Sequence, residues 1–217
     1  MIPVKRSNKI YVYITALSAT IVVIYSFGKG LVSSWNGQLF NVSITLGFSD
    51  FTDIVSRTVS LSCILFFLWN KLLWKWPLFR CFSNFPDISG RWHGTYKRTS
   101  PGNDGQEHEY VIEIQQTYNN INCYTYQDTN SSHAILADLL HDGNNVQFQL
   151  VFHWGGARTN NERNPKLRGE YHGITELDFT PKNSRDPAKL HGGYFTDQGT
   201  YGEVEVEFAS KKRKKGL

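Results

Sequence analysis

The residues best suited to chemistry in this 217-residue chain are aromatic and cationic, and they cluster after residue 90. They are Trp92, Tyr96, Tyr110, Tyr124, Tyr126, Trp154, Tyr171, Tyr194 and Tyr201, accompanied by Arg91, Arg158 and Arg168. Rings supply flat stacking faces, phenols add a polar handle, and guanidinium offers a planar fork for phosphate or carboxylate. Brought together in one lumen, such side chains suit nucleobases carried on phosphate. The candidate ligand-binding residues are therefore Tyr96, Tyr110, Tyr124, Tyr126, Trp154, Arg158, Arg168, Tyr171 and Tyr194. Two plainer readings stand beside this one. Tyrosine is also a good strand former, and Trp92, near the start of a strand, has the position of an end plug.

Nothing else in the chain has the spacing of a catalytic or metal site. Nucleophile elbow, phosphate-binding Gly-rich loop and HExxH are all missing from the sequence, so no catalytic residue is expected. The seven histidines are scattered, and His172 and His191 each simply precede a glycine. Cys63, Cys81 and Cys123 form neither a CxxC pair nor a disulfide framework. Neither metal nor cofactor is expected. The row Glu203, Glu205, Glu207 reads as the wet face of a strand.

The elements that must position the aromatic set show alternation, with turn residues about every 8–12 positions, the mark of a sandwich or barrel. Eight strands are expected, at about 90–98, 108–118, 121–128, 132–141, 145–154, 167–180, 189–196 and 200–208. His108, Tyr110, Ile112, Ile114 and Tyr118 share one face of the second. Val146, Phe148, Leu150, Phe152 and Trp154 share one face of the fifth, and Val204, Val206 and Phe208 one face of the last. Asn119-Asn120 and Asp142-Gly143-Asn144 are hairpin signals that favour antiparallel neighbours. The expected fold is all-β: a small up-and-down eight-stranded antiparallel barrel. Its interior is either filled or holds one small ligand. The stretch Gly155 to Pro165 is a rim, a lid or an ordinary loop.

The first 80 residues are of another kind. Ile10 to Phe27 runs 18 residues without a charge; at about 1.5 Å per residue this approaches a hydrocarbon core of about 30 Å. A signal peptide would show a shorter apolar core and a small-residue cleavage site, which Phe27-Gly28-Lys29-Gly30 does not supply. The second apolar run, Thr58 to Trp69, is shorter, but Leu72, Leu73, Trp74, Trp76, Leu78 and Phe79 extend it, with Lys71 and Lys75 able to snorkel. An interfacial amphipathic helix is the alternative there. The expected division is a two-helix transmembrane region over 1–83, with spans at about 10–27 and 57–79, a soluble barrel over 84–210, and a basic tail over 211–217.

Charge supports that division. Lys5, Arg6, Lys9 before the first span and Lys71, Lys75, Arg80 after the second outnumber Lys29 and Arg57 between them. The positive-inside rule then places both termini in the cytoplasm. Residues 81–210 hold ten Lys and Arg against seventeen Asp and Glu, so the overall net charge of +4 describes neither part. An acidic domain lacks the basic face that binding a DNA or RNA polymer requires. Water-facing acids on the last strand also argue against an outer-membrane barrel.

Two spans followed by a β-rich domain opening with Ser89-Gly90-Arg91-Trp92-His93-Gly94-Thr95-Tyr96 resemble the two-transmembrane β-barrel effectors of bacterial CBASS antiphage signalling, the CD-NTase-associated protein 15 family. The resemblance covers essentially the whole chain. It implies a receptor whose cytosolic barrel binds a cyclic dinucleotide made by a cognate CD-NTase. Ligand-dependent self-association in the inner membrane then disrupts the lipid and kills the host cell. The same opening is similar to lipocalin and fatty-acid-binding barrels, so a membrane-tethered binder of a lipid or other apolar ligand is the alternative. A filled barrel acting only as an anchor is a third reading.

Overall fold

The computed structural model describes residues 2–3, 9–34, 48–82, 86–99, 105–127, 130–141, 147–157 and 170–211. They fall into two compact units, Arg6–Asn84 and Phe85–Leu217, the second joined by Met1–Lys5.

The first unit is a helical hairpin. α1 (Lys9–Ser34) and α2 (Phe48–Lys71) are both long and apolar enough to cross a membrane. Ile10, Ile14, Ser18 and Val22 recur every fourth residue on α1 and are buried, as are Ser62 and Trp69 on α2. Tyr11 meets Phe66 edge to face at 5.4 Å. Val12, Leu17, Ile24, Val59, Ile64 and Phe67 face outward, as lipid-facing positions do. α2 ends at Lys71 and gives way to 3-10 turns at Leu73–Lys75 and Pro77–Phe82. The expected span at 57–79 therefore straddles the end of α2 and these turns. Leu72 already departs from helical geometry (φ −130°, ψ −54°), and Trp76 is extended (φ −72°, ψ 141°), the conformation a residue before proline prefers, which separates the two turns.

Ser18 and Ser62 are buried, but other small residues of the hairpin face outward. Thr15, Ala16 and Thr20 on α1 and Ser56 and Ser60 on α2 are exposed. Thr15, Ala16 and Ala19, with Tyr11 and Val12, line an apolar groove of about 470 Å³. The hydroxyls of Thr15, Thr20 and Ser60 each donate to the carbonyl four residues earlier at 2.9 Å, so they are compatible with lipid.

In the second unit, strands β2 (Gly90–Arg98), β3 (Glu107–Gln116), β4 (Ile121–Gln127), β5 (Asn130–His141), β6 (Phe148–Ala157), β7 (Glu170–Thr180), β8 (Lys189–Thr196) and β9 (Tyr201–Ser210) each pair antiparallel with the next. β9 returns to β2, and the eight-stranded barrel closes. It is the expected up-and-down barrel. A two-residue strand β1 (Ile2–Pro3), which alternation over so short a stretch could not reveal, pairs with His141 and Leu140 of β5.

Register divides each strand into an inner and an outer face. One end of the interior is closed by apolar packing. Ile112, Leu150, Leu177, Leu190 and Val206 are wholly buried. Trp92 packs edge-on against Phe208 and Phe179 at 5.4 and 6.3 Å, and its indole donates to the Ile88 carbonyl at 3.0 Å. The Gln116 side chain clamps the incoming chain, accepting from Ile88 N at 2.8 Å and donating to the Pro86 carbonyl at 3.0 Å. Trp92 is thus the end plug.

Candidate ligand-binding site

Toward the other end of the barrel the interior changes from aliphatic to aromatic and polar. Continuing the inner faces from the plug leads to Tyr96 and Arg98 on β2, Tyr110 and His108 on β3, and Thr125 on β4. β5 adds Ser132, β6 Trp154, β7 Thr175, and β8 Tyr194 and Thr196. These positions converge because antiparallel strands bring the end of one beside the start of the next, and side chains two residues apart share a face.

Tyr96 is the centre of the group. His108 stacks on it, with ring centroids 5.2 Å apart and planes 25° apart. Tyr110 and Tyr194 meet it edge-on at 5.6 and 6.1 Å. The Arg98 guanidinium carbon stands 5.9 Å from its ring centroid, and the Arg98 charge is close enough to Tyr194 to favour its ionised form. Deeper in the wall, the Trp154 indole donates to Thr175 Oγ1 at 2.9 Å, and Tyr110 shares a hydrogen bond with Thr125.

Glycines make room for the rings. A Cβ at Gly173, opposite Trp154, would stand 2.4 Å from Trp154 Cζ2. One at Gly202, opposite Tyr194, would stand 2.8 Å from Tyr194 Cε1. Both rings therefore lie across a strand that carries no side chain at that point.

Electrostatically, this half of the barrel holds neutral phenols beside a cation. Burial pushes the Tyr110 hydroxyl well above the usual tyrosine range, partly offset by the hydrogen bond with Thr125. Burial also raises Tyr194, while Arg98 opposes the shift. Burial raises the Cys123 thiol, which stays protonated in the wall. Among the described residues, Arg98 is the Lys or Arg on the inner register, and no carboxylate shares that face. Such a site favours an anion with flat faces.

The sequence-based set divides accordingly. Tyr96, Tyr110, Trp154 and Tyr194 come together. Tyr124 and Tyr126 do not: they pair with Glu113 and Val111 on the outer face of β4. On that strand the apolar positions Ile121 and Cys123 are the ones turned inward, and alternation sends the tyrosines out. Arg91 likewise pairs with Glu113 across the outer wall at 3.5 Å, and Tyr201 is exposed. Tyr171 occupies the register position opposite Gly156. Arg158 and Arg168 lie outside the described residues. Arg98, Thr125 and Thr175 were missed, although Trp92, Gly94, Tyr96 and Arg98 share one parity that could have pointed to Arg98.

A family model described as Cap15, cyclic dinucleotide receptor domain, matches residues 83–207. CD-NTase-associated protein 15 of Staphylococcus schleiferi is 30% identical over 170 residues, covering 78% of this chain and 86% of that protein. CD-NTase-associated protein 15 of Yersinia aleksiciae is 26% identical over 145 residues, covering 65% and 64%. With a matching barrel, a matching receptor-domain model and relatives over most of its length, this chain belongs to the Cap15 cyclic dinucleotide receptor family.

Proposed function

We propose that the chain is a CBASS effector whose barrel captures a cyclic dinucleotide in the aromatic half of its lumen. One observation carries this reading beyond family membership: among the described residues, Arg98, stacked rings and neutral hydroxyls share the inner register with no carboxylate. A cyclic dinucleotide presents two bases and two phosphates. Tyr96, Tyr110, Trp154 and Tyr194 would take the bases and Arg98 would hold phosphate; Arg158, Arg168 and Tyr171 stay candidates on the sequence alone. A fatty-acid carrier would be served poorly by this set. In this reading the barrel is a receptor, not an enzyme.

The proposed division of labour assigns membrane insertion to residues 1–83, sensing to 84–210, and leaves 211–217 as a basic tail. The cation excess outside the two spans supports an inner-membrane hairpin with both termini cytoplasmic, where a cognate CD-NTase would release the messenger. The outward-facing small residues of α1 and α2 support close approach of a second hairpin, so that ligand-favoured self-association disrupts the bilayer and kills the cell. Binding drives that step only if the ligand prefers the assembled state.

The test is a panel of cyclic di- and trinucleotides and fatty acids against the purified full-length chain, read by thermal shift. A cyclic dinucleotide should raise the midpoint, by about 2.7 kcal/mol of stabilisation at a hundredfold excess over Kd. A response to fatty acids alone would replace this reading with the lipid carrier. A reporter fused after Leu217 should be active only in its cytoplasmic format.

A further inference from the structure

The outer wall of the barrel carries an apolar cross-strand row. Leu136 of β5 pairs with His153 of β6, His153 with Ile174 of β7, Ile174 with Phe195 of β8, and Phe195 with Tyr201 of β9. Both ends of the row are open to solvent: Ile135 and Leu136 are 57% and 70% exposed at one, Phe195 and Tyr201 52% and 46% at the other. Regular alternation would turn only one of Ile135 and Leu136 outward. A register shift between Ala134 and Leu136 inserts the extra residue, so both face out while Ala134 and Ala137 pack on the core. In the ring of eight strands β5 and β9 stand four apart. The row therefore runs half-way round the wall, and its aliphatic and aromatic ends face opposite ways.

The two ends are also complementary in charge and hydrogen bonding. Beside the aliphatic end stand His133, exposed on β5, and His153, the next member of the row. Beside the aromatic end, Glu203 and Glu205 follow Tyr201 on the outer face of β9, both exposed. An imidazole N–H donates to a carboxylate. The two further charges there, Asp138 on β5 and Lys97, which pairs with Glu203, are again of opposite sign. Unlike ends thus attract, whereas like ends would set carboxylate against carboxylate. The contact is small. A stable interface buries about 1,200–2,000 Å² with roughly 20–30 residues a side, far more than two large apolar side chains from each copy, so this one holds only between copies that something else has gathered.

We infer that the aliphatic end of one barrel docks on the aromatic end of the next, so that copies of this chain assemble head to tail. This rests on the ligand-favoured self-association proposed above and adds to it a contact outside the helices. Each added copy leaves one end of each kind open, so growth closes into a ring or continues as a filament and does not stop at a two-fold dimer.

The test is cysteine cross-linking of the full chain in phosphatidylcholine–phosphatidylglycerol vesicles, with and without each cyclic dinucleotide of the thermal-shift panel. Cys63 and Cys81 are replaced by Ser, and Cys123 is buried. Leu136→Cys and Tyr201→Cys sit at exposed positions, so the fold survives them. On separately tagged chains they should cross-link to each other roughly tenfold faster than Leu136→Cys does to Glu109→Cys elsewhere on the wall, because a formed contact raises the local concentration. A chain carrying both cysteines should give a ladder beyond the dimer, and Phe195→Asp should remove the mixed product. A mixed rate equal to the Glu109→Cys control, or Leu136→Cys linking to itself as fast as to Tyr201→Cys, would overturn the inference. Ala19→Cys on α1 reports association through the helices. If its dimers form while the mixed pair does not, only the head-to-tail contact falls; if neither product forms under any cyclic dinucleotide, self-association falls with it.

Discussion

Arg98 reaches Tyr194 across Gly202. The three residues form one cross-strand row, with Gly202 paired to Arg98 on one side and to Tyr194 on the other, and the absent side chain leaves room for the Tyr194 ring, whose phenol feels the Arg98 charge. The cation is thereby held at the rim of the barrel beside the Tyr96 ring, positioned before any ligand arrives. Preorganisation of this kind lowers the ordering cost of binding.

Replacing Arg98 by Ala should weaken binding of the best cyclic dinucleotide by about 1.5–3 kcal/mol, the cost of a lost charge-assisted hydrogen bond. Because Arg98 is exposed at the rim, the unfolding midpoint should change little. Arg98→Lys should recover only part of the loss, since the planar fork is gone. Titration calorimetry decides; unchanged affinity would remove Arg98 from the site.

The inner and outer tyrosines should separate. Tyr194→Phe deletes the hydroxyl that feels the Arg98 charge and should reduce affinity by about 0.5–1.5 kcal/mol or more. Tyr124→Phe alters the outer wall and should leave affinity unchanged. Equal losses in both would mean that the ligand does not lie in the lumen.

Thr175→Val preserves shape but strands the buried Trp154 indole N–H. The expected cost is about 1–3 kcal/mol of stability, measured by chemical denaturation, with Thr175→Ser retaining most of it. A neutral Thr175→Val would show that the indole finds another acceptor.

Stability should fall at alkaline pH. Burial raises the folded-state pKa of Tyr110 far above its ordinary value near 10. Above that value the unfolded chain releases the phenolic proton while the folded barrel retains it. The unfolded state then binds fewer protons, so unfolding becomes easier as pH rises. The contribution is fully present below about pH 10 and is lost progressively on the way up to the raised folded pKa, at about 1.4 kcal/mol per pH unit for this group. Cys123, raised from 9.0 by burial, adds in the same direction from a lower starting pH. Tyr110→Phe should flatten the alkaline limb of a denaturation series; an identical slope would mean that the phenol is not protected.

Ala19 lines the exposed groove on α1, away from the buried positions that join the two helices. Ala19→Leu should therefore leave nucleotide binding intact while reducing entry of a membrane-impermeant dye into cells that express the cognate nucleotidyltransferase. Ser60→Leu should act similarly from α2. Loss of binding in either variant would contradict the separation of sensing from membrane damage.

Much of this molecule is written in short-range pattern. A charge-free run from Ile10 to Phe27 and the alternation around Tyr110, Leu150 and Val206 determine helix and strand locally, because side-chain period and apolar length are properties of the chain itself. Turn residues at regular spacing were enough to specify eight antiparallel strands. Composition could not say which side of a strand its tyrosines occupy. That choice belongs to the strand as a unit, and on β4 the inward demand of Ile121 and Cys123 turned Tyr124 and Tyr126 outward. Arg98 gained its role only when β2 closed against β9 and placed it beside Gly202 and Tyr194. Four-residue spacing relates Ala16 to Thr20 and Ser56 to Ser60 in the chain itself, and only packing showed that these four face outward while Ser18 and Ser62 are buried. In each case the deciding interaction joins residues distant in sequence, so closure of the barrel and pairing of the helices had to settle what local pattern left open.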